Sequence, residues 1–216
     1  MLQPEFQLPP LFAYFALFLW ALSGAIVGMH KRYDLAGVFV IALLASTGGS
    51  TLRDGLFLQT MPPVLTNGWY IILTMLATIA VGFFRDRIAR MTLVDRVINV
   101  IDALGVPAFA VIGMQLSLAA DVPLPGVVLI GMVNGFGGGI LRDLMVGDTP
   151  AVLKPGRFYL SAAFVACILF VVLEVYLHVS PTVAAWIVIG LFFTIRALAV
   201  RYDWRTQPVL PDTEPR

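Results

Sequence analysis

The chain has 216 residues, of which 59% are hydrophobic and 12% are Asp, Glu, Lys or Arg. Soluble domains carry about 25% of these charged residues, so the composition excludes a water-soluble globule. Because one membrane span needs about 20 apolar residues, the chain has room for several spans and for no sizeable soluble domain. The net charge of +1 leaves no broad basic surface, so we predict no nucleic-acid partner.

Seven near-continuous apolar stretches predict an all-α polytopic membrane protein with seven transmembrane helices in a single domain over residues 1–216. In chain order the stretches are Leu11–Met29, Leu35–Thr60, Trp69–Phe84, Val97–Ala119, Leu124–Val146, Phe158–Leu177 and Val183–Val200. No Lys or Arg precedes the first stretch, so we expect a retained helix rather than a cleaved signal peptide. The tail, residues 205–216, has few apolar residues and is predicted to be mobile.

The basic residues outside the spans fall on one side of the predicted membrane. With an outer N-terminus, the inner loops and the tail carry all of them, and the outer loops carry none. These residues are Lys31, Arg32, Arg85, Arg87, Arg90, Arg96, Lys154, Arg157, Arg201, Arg205 and Arg216. Because loops rich in Lys and Arg stay in the cytoplasm, we predict an outer N-terminus and a cytoplasmic C-terminus.

The chain matches itself at an offset of 89 positions, which indicates an internal duplication. The segment Gly48–Asp54 aligns with Gly137–Asp143, and both contain Gly-Gly-x-x-Leu-Arg-Asp. The alignment predicts repeat one over about residues 11–87, repeat two over about 97–177, and a seventh helix, 183–200, outside the duplication. Because three spans make an odd number, the second copy is predicted to be inverted in the membrane.

The repeated glycines predict breaks in spans two and five near the middle of the membrane, since unwound backbone survives there only beside a polar interior. The residues concerned are Gly48, Gly49 and Ser50 in span two and Gly137, Gly138 and Gly139 in span five, with Thr47 and Asn134 beside them. Open carbonyls before each break suit a cation, whereas the amides after it suit an anion. Two alternatives remain. The glycines would serve close helix packing, and the Ser and Thr hydroxyl groups would bond to the backbone of their own helix.

Arg53 and Arg142 follow the glycine motifs inside the membrane, where a charge costs about 2.5–3.5 kcal/mol at the centre of a helix. They are therefore expected to face an aqueous interior or an acidic partner. Asp54 and Asp143 come next, but adjacent residues do not share a helix face. We therefore predict crossed pairs, Arg53 with Asp143 and Arg142 with Asp54. Such pairs would act in permeation, hold the two halves together, or do both.

Asp102, in the first turns of span four, is a further candidate site residue, although the helix dipole alone also favours an acid near a helix start. The two histidines lie far apart, and no His, Cys or carboxylate spacing is typical of a metal site. The pattern contains no positioned catalytic base and no phosphate-binding loop. We therefore predict no enzyme activity and no cofactor.

Four motifs carry a resemblance to a known family. They are the doubled Gly-Gly-x-x-Leu-Arg-Asp, Trp20–Ala25 in span one, Asp102–Gly105 with Phe109-Ala110 in span four, and Gly147–Pro150 after span five. Together they are similar to the TRIC family of trimeric intracellular cation channels, in its prokaryotic branch. The similarity covers Phe15 to Val200, and Ser50 departs from it, since a third glycine is common there.

The resemblance implies a homotrimer in which each protomer has its own pore, lined by the kinked spans two and five with spans one and four. It implies potassium as the permeant ion, membrane lipids as neighbours, and a prokaryotic cell (inner) membrane as the location. The alternative is a secondary transporter of a small zwitterionic solute such as an amino acid, because inverted repeats with broken helices are also typical of transporters. A lipid-binding or structural protein would leave the buried arginines unexplained.

Overall fold

The computed structural model describes residues 9–88, 94–154, 159–202 and 204, and the side chains of residues 94–104 and 200 lie outside that description. Every regular element in these residues is helical. The principal helices are α1 Pro10–His30, α2 Leu35–Leu52, α3 Trp69–Phe83, α4 Val94–Ala119, α5 Leu124–Met145, α6 Leu160–Val171 and α7 Pro181–Arg201. A π-helical segment continues α2 over Arg53–Leu58, and another continues α6 over Val172–Tyr176. Short helical turns, Pro63–Thr66, Arg85–Ile88 and Ala151–Leu153, lie in the connections.

Several of these helices are long and apolar enough to cross a bilayer. Within the described ranges four qualify by length and hydropathy, namely Pro10–His30, Leu35–Leu58, Leu124–Met145 and Pro181–Ala199. Three shorter apolar helices accompany them, Trp69–Phe83, Gly105–Ala119 and Leu160–Tyr176. The prediction of an all-helical protein with several apolar helices is therefore confirmed. The predicted mobile tail, residues 205–216, lies outside the described residues.

Local sequence signals set where the helices begin and end. Proline occupies the first turn of α1, α5 and α7, where a missing amide hydrogen is harmless because first-turn amides have no partner within the helix. Asp34 caps α2, since its carboxylate accepts a hydrogen bond from the Gly37 amide at 2.8 Å. Gln59 ends the π-helical continuation of α2 in a left-handed conformation, with a φ of 51°.

The two halves of the chain use the same helix contacts. In the first half α1 packs on α2 and α3, and α2 packs on α3; in the second half α4 packs on α5 and α6, and α5 packs on α6. The halves meet where α2 crosses α5, and α7 packs against α4 and α6. Outward faces expose large apolar side chains such as Leu76 on α3, Phe164 on α6 and Trp186 on α7. An apolar outer surface of this kind suits a bilayer.

The glycines do not break the helices, so this part of the prediction was wrong. Helix α2 stays α-helical through Gly48-Gly49, and α5 stays α-helical through Gly137–Gly139. In α2 the helix type changes after the glycines, at Arg53, where the π-helical segment begins. A bilayer offers no water to unpaired backbone groups, so continuous α-helical hydrogen bonds are the more stable arrangement across the glycines.

The glycines instead bring α2 and α5 together backbone to backbone. A Cβ atom at Gly49 would overlap the carbonyl oxygen of Asn134, and one at Gly138 would overlap the carbonyl oxygen of Ala45. A Cβ atom at Gly137 would lie 3.0 Å from the Cα atom of Gly49. Membrane helices commonly use small residues for such approaches. Close packing, the alternative interpretation of the motif, is therefore the observed one.

We expect Gly138→Ala to destabilise the fold by about 1–3 kcal/mol, the usual cost of overpacking, because the new methyl group would overlap the Ala45 carbonyl. Its neighbour provides the control, Gly139→Ala. Nothing lies within 4 Å of a Cβ atom at Gly139, and alanine favours a helix over glycine by about 0.5–1 kcal/mol. Thermal unfolding in detergent measures both variants. Equal losses of stability would contradict the close crossing.

Candidate functional site

A cavity of about 270 Å³ lies between the two halves of the molecule. Residues of α1, α2, α4 and α5 form its wall, together with Tyr70 near the start of α3 and Tyr159 just before α6. Apolar side chains such as Trp20, Phe109 and Ile140 supply much of the lining. The charged groups come from α5 and from the residue that follows α2. The wall therefore combines an apolar surface with a few fixed polar groups.

The cavity brings together many of the predicted site residues. Those that line it are Gly49, Ser50, Arg53, Asn134, Gly138, Gly139, Arg142 and Asp143. Thr47, Gly48, Gly137 and Asp54 are not among the residues that line it. The side chain of Asp102 lies outside the described residues, so its role stays a prediction.

Hydroxyl groups near the crossing bond within their own helix. Thr47 Oγ1 donates to the Leu43 carbonyl at 2.7 Å, and Ser50 Oγ donates to the Thr47 carbonyl at 2.9 Å. Ser46 Oγ donates to the Ala42 carbonyl at 2.9 Å in the same way. This use of Ser and Thr is common in apolar helices. Oxygen lone pairs are therefore the main hydrogen-bonding capacity that these side chains have left.

Arg53 is buried, with 5% of its surface exposed, and the next residue balances its charge. Its Nε and Nη2 atoms donate to the two carboxylate oxygens of Asp54, at 2.6 Å each. This is the bidentate geometry that makes guanidinium–carboxylate pairs strong. Its Nη1 atom donates to Oδ1 of Asn134 on α5 at 3.2 Å. Arg53 thus joins the two halves through a neutral partner.

Arg142 repeats the arrangement in the second half. Its Nε atom donates to Oδ1 of Asp143 at 2.8 Å, and its Nη2 atom lies 2.8 Å from the same oxygen. Its Nη1 atom donates to Oγ of Ser23 on α1 at 2.6 Å. The other carboxylate oxygen of Asp143 accepts a hydrogen bond from the Ala151 amide at 2.9 Å. The ion pair is therefore also tied to the turn that follows α5.

The predicted crossed pairs, Arg53 with Asp143 and Arg142 with Asp54, are therefore wrong. The argument from helix faces applies to the directions of the Cβ atoms, whereas arginine has a long stem and a planar head that can turn back over the following residue. A buried charge is strongly unfavourable without a close counter-charge, and the next residue is always within reach. What crosses between the halves is the remaining hydrogen bond of each arginine, to a neutral side chain.

The structure adds three side chains that the sequence analysis did not single out. Ser23 is buried in α1 and is a partner of Arg142; its signal is a hydroxyl group within an apolar span. Tyr70 and Tyr159 both line the cavity. The offset of 89 positions aligns these two tyrosines, so the duplication is a signal that identifies them.

The described charges of the cavity cancel in pairs, because each guanidinium has a carboxylate beside it. Backbone also borders the cavity at Gly139, where nothing lies within 4 Å of a Cβ atom. Among the described residues, no group of three or more His, Cys, Asp or Glu side chains could hold a metal ion. The arrangement offers a small species both guanidinium donors and carboxylate or carbonyl acceptors.

One exposed ion pair links two connections that are distant in sequence. Lys31, after α1, lies 2.6 Å from Asp148, after α5. The two side chains are 34% and 47% exposed, so the pair contributes at most about 1 kcal/mol to stability. It requires that the ends of α1 and α5 lie on the same side of the molecule.

Comparison with known proteins relates most of the chain to one group of membrane proteins. A family model described as "Glycine transporter" matches residues 10–86 and again residues 99–175. A UPF0126 membrane protein of Deinococcus radiodurans is 35% identical over 67% of this chain and 66% of its own length, so the match spans just under two thirds of that relative. The UPF0126 membrane protein YvgT of Bacillus subtilis is 31% identical over 71% of this chain and 75% of its own.

Solved structures match the fold over almost the full chain. A structure described as that of a TRIC cation channel has a TM-score of 0.82 and 26% identity, and the match covers 94% of this chain and 98% of that one. The TRIC trimeric intracellular cation channel orthologue from Rhodobacter sphaeroides has a TM-score of 0.79 and 25% identity, with 90% and 97% covered.

The fold and its relatives define a multi-pass bacterial membrane protein with the TRIC architecture. The described helices match that architecture. The chain is a member of the TRIC/UPF0126 family. Because the matched structures are channels, the prediction that the chain is not an enzyme is confirmed.

We expect Asp143→Asn to destabilise the protein by about 3–5 kcal/mol, because it leaves the Arg142 guanidinium buried without its counter-charge. Adding Arg142→Gln should restore most of the loss, since both buried charges are then removed. Adding Arg53→Gln to Asp143→Asn should not restore the lost stability. Thermal unfolding of the single and double variants in detergent measures the difference. Restoration by Arg53→Gln alone would favour the crossed pairs over the contacts described here.

Proposed function

We propose that the protein is a channel for monovalent cations, with potassium as the permeant ion and the cavity as part of its pore. Similarity to the TRIC cation channel carries this proposal, because it extends over 94% of the chain at a TM-score of 0.82. The ion moves down its electrochemical gradient along a fixed path, so the function requires no cofactor. Helix α5 and Arg53, which follows α2, supply the charged groups of that path.

The chemistry of the cavity supports cation passage. Each arginine is neutralised by the adjacent carboxylate, so the guanidinium groups do not place a net positive charge in the path of an entering cation. Carboxylate and carbonyl oxygens line many cation pathways, where they replace part of the hydration shell of the ion. Asp143 and the backbone at Gly139 both border the cavity and are positioned for this role.

For the architecture we propose seven transmembrane spans, arranged as two inverted repeats over about residues 11–87 and 97–177 with a seventh helix, 183–200, outside them. The double match of the family model supports the duplication, because corresponding ends of the two matches lie 89 positions apart. The shared helix contacts of the two halves support it as well.

For the assembly we propose a homotrimer with one pore in each protomer, surrounded by membrane lipids and without a nucleic-acid partner. The Rhodobacter sphaeroides relative is described as trimeric, which supports the oligomeric state. The cavity is lined by residues of a single chain, which supports one pore per protomer. The apolar outer faces of α3, α6 and α7 are available to lipid and to neighbouring protomers.

A second candidate is a secondary transporter of a small zwitterionic solute. The description of the family model as "Glycine transporter" favours it. The site chemistry is compatible, because the carboxylate of an amino acid would match the Arg142 guanidinium and its ammonium group would match Asp143. We rank it second because alternating access needs bodies that rock against each other, and three spans make a small body.

In planar bilayers, purified wild-type protein is expected to give discrete unitary potassium currents. Arg142→Gln should increase the unitary conductance, because removal of the guanidinium leaves the Asp143 carboxylate as a net negative charge beside the path. Arg201→Gln, at the exposed end of α7, is the matched control and should conduct like the wild type. A correctly folded Arg142→Gln channel with unchanged conductance and gating would show that the pair serves only the scaffold.

The same preparation separates the two candidate functions. Proteoliposomes loaded with unlabelled glycine would be tested for uptake of radiolabelled glycine, with empty liposomes as the control. Saturable glycine exchange in the absence of unitary potassium currents would overturn the channel proposal in favour of the transporter.

We propose that the N-terminus lies outside and the C-terminus in the cytoplasm of a prokaryotic inner membrane. The Lys and Arg residues of the loops all fall on one side of the predicted membrane, which supports this orientation. The Lys31–Asp148 ion pair supports a common side for the loops after α1 and α5. A fluorescent protein fused to the C-terminus should therefore fold and fluoresce in cells, and alkaline phosphatase fused at the same place should stay inactive. Active phosphatase with a dark fluorescent fusion would reverse the orientation.

A further inference from the structure

The cavity is bordered by two tyrosines that occupy equivalent positions in the duplicated sequence. Tyr70 is the second residue of α3, Tyr159 immediately precedes α6, and both line the cavity. In the proposed inverted arrangement these helix starts lie at opposite faces of the membrane. Each half of the chain thus contributes one equivalent aromatic ring to the wall of the same cavity.

The surroundings of the two rings differ. Tyr159 is 5% exposed, contacts the Phe136 ring edge-on at a centroid distance of 4.9 Å, and lies 5.9 Å from the Phe192 ring. The Cζ atom of Arg196 lies 4.3 Å from the centroid of the Tyr159 ring, in cation–π geometry. Phe192 and Arg196 are one turn apart on α7, so both reach Tyr159 from the same face of that helix.

Tyr70 has a different set of neighbours. Its ring meets Tyr14 of α1 edge-on at 6.3 Å, and Tyr14 Oη accepts a hydrogen bond from Asn67 at 2.8 Å. Helix α7 lies outside the duplication, and it packs against α4 and α6 in the second half. The extra helix therefore supplies two neighbours of Tyr159, namely Phe192 and Arg196.

We propose that Arg196 is a positioning residue of the pore, which holds the Tyr159 ring against the cavity and thereby narrows the end at which α6 begins. This inference rests on the proposed channel function. Arg196 is 5% exposed in a helix that is otherwise largely apolar, and an ionisable residue inside a membrane span is by default a candidate functional residue. A guanidinium over a desolvated ring is among the stronger cation–π contacts, and it fixes the plane of the ring.

The test compares single-channel recordings of wild type, Arg196→Gln, Arg196→Lys and Tyr159→Leu. Loss of the contact should free the space that the ring occupies, so Arg196→Gln is expected to raise the open probability about threefold or more. Arg196→Lys keeps the charge and should lie between wild type and Arg196→Gln. Tyr159→Leu removes the other partner of the contact and should also raise the open probability. This variant tests the inference even if Arg196→Gln does not fold.

Control variants separate an effect through the Tyr159 ring from a general effect of the substitutions. The double variant Arg196→Gln/Tyr159→Leu should behave like Tyr159→Leu alone, because Arg196 acts through the ring. Arg201→Gln removes an exposed charge from the same helix and should leave gating unchanged. A conducting wild type with unaltered or reduced opening in both Arg196→Gln and Tyr159→Leu would overturn the inference and leave the channel function intact.

A second measurement does not depend on ion conduction. Ser50 lines the cavity, so Ser50→Cys in a Cys167→Ala background places a single thiol there. Its rate of modification by a charged thiol reagent in detergent should rise when Arg196→Gln is added and stay constant with Arg201→Gln. If the wild type carries no current, the proposed function fails, and this rate alone decides the inference: an unchanged rate would overturn it.

Discussion

The fold depends on one contact between backbones, the crossing of α2 and α5. At Gly49 and Gly138 the two helices approach so closely that a methyl group would overlap a carbonyl oxygen of the partner helix. Moving an apolar side chain from lipid to a helix interface gains little free energy. Two spans therefore associate mainly through close van der Waals contact. Gly49 and Gly138 also border the cavity beside the crossing, together with Gly139, where nothing lies within 4 Å of a Cβ atom.

Buried charge is the second constraint, and the chain meets it locally. Each half carries an arginine just beyond its glycine motif, and each arginine is paired with the aspartate that follows it. Because the charges cancel within a single turn of helix, neither half needs the other for neutralisation. The halves are joined by neutral hydrogen bonds instead, from Arg53 to Asn134 and from Arg142 to Ser23. These two links are not copies of each other, since the offset aligns Asn134 with Ala45 and Ser23 with Ile112.

Sequence reasoning was most reliable where the physical signal is local. The apolar stretches predicted the described helices to within a few residues, because hydrophobicity and proline act over one element at a time. The predictions failed for glycine and arginine, because each of these residue types has more than one stable structural role in a membrane helix. Consecutive glycines serve either an unwound turn or a close approach, and an arginine reaches either a distant carboxylate or the adjacent one. Only the position of the neighbouring helix distinguishes these uses.

The sequence by itself determined that this is a helical membrane protein, that its two halves share one motif, and which charged residues have to be accommodated inside it. These properties depend on composition and on periodicity along the chain. The tertiary structure decided that the glycines form a crossing, that Arg53 and Arg142 each pair with the aspartate that follows, and that α7 touches Tyr159. The physical reason is that contacts between helices depend on distances across the bundle, which no pattern along a single helix records.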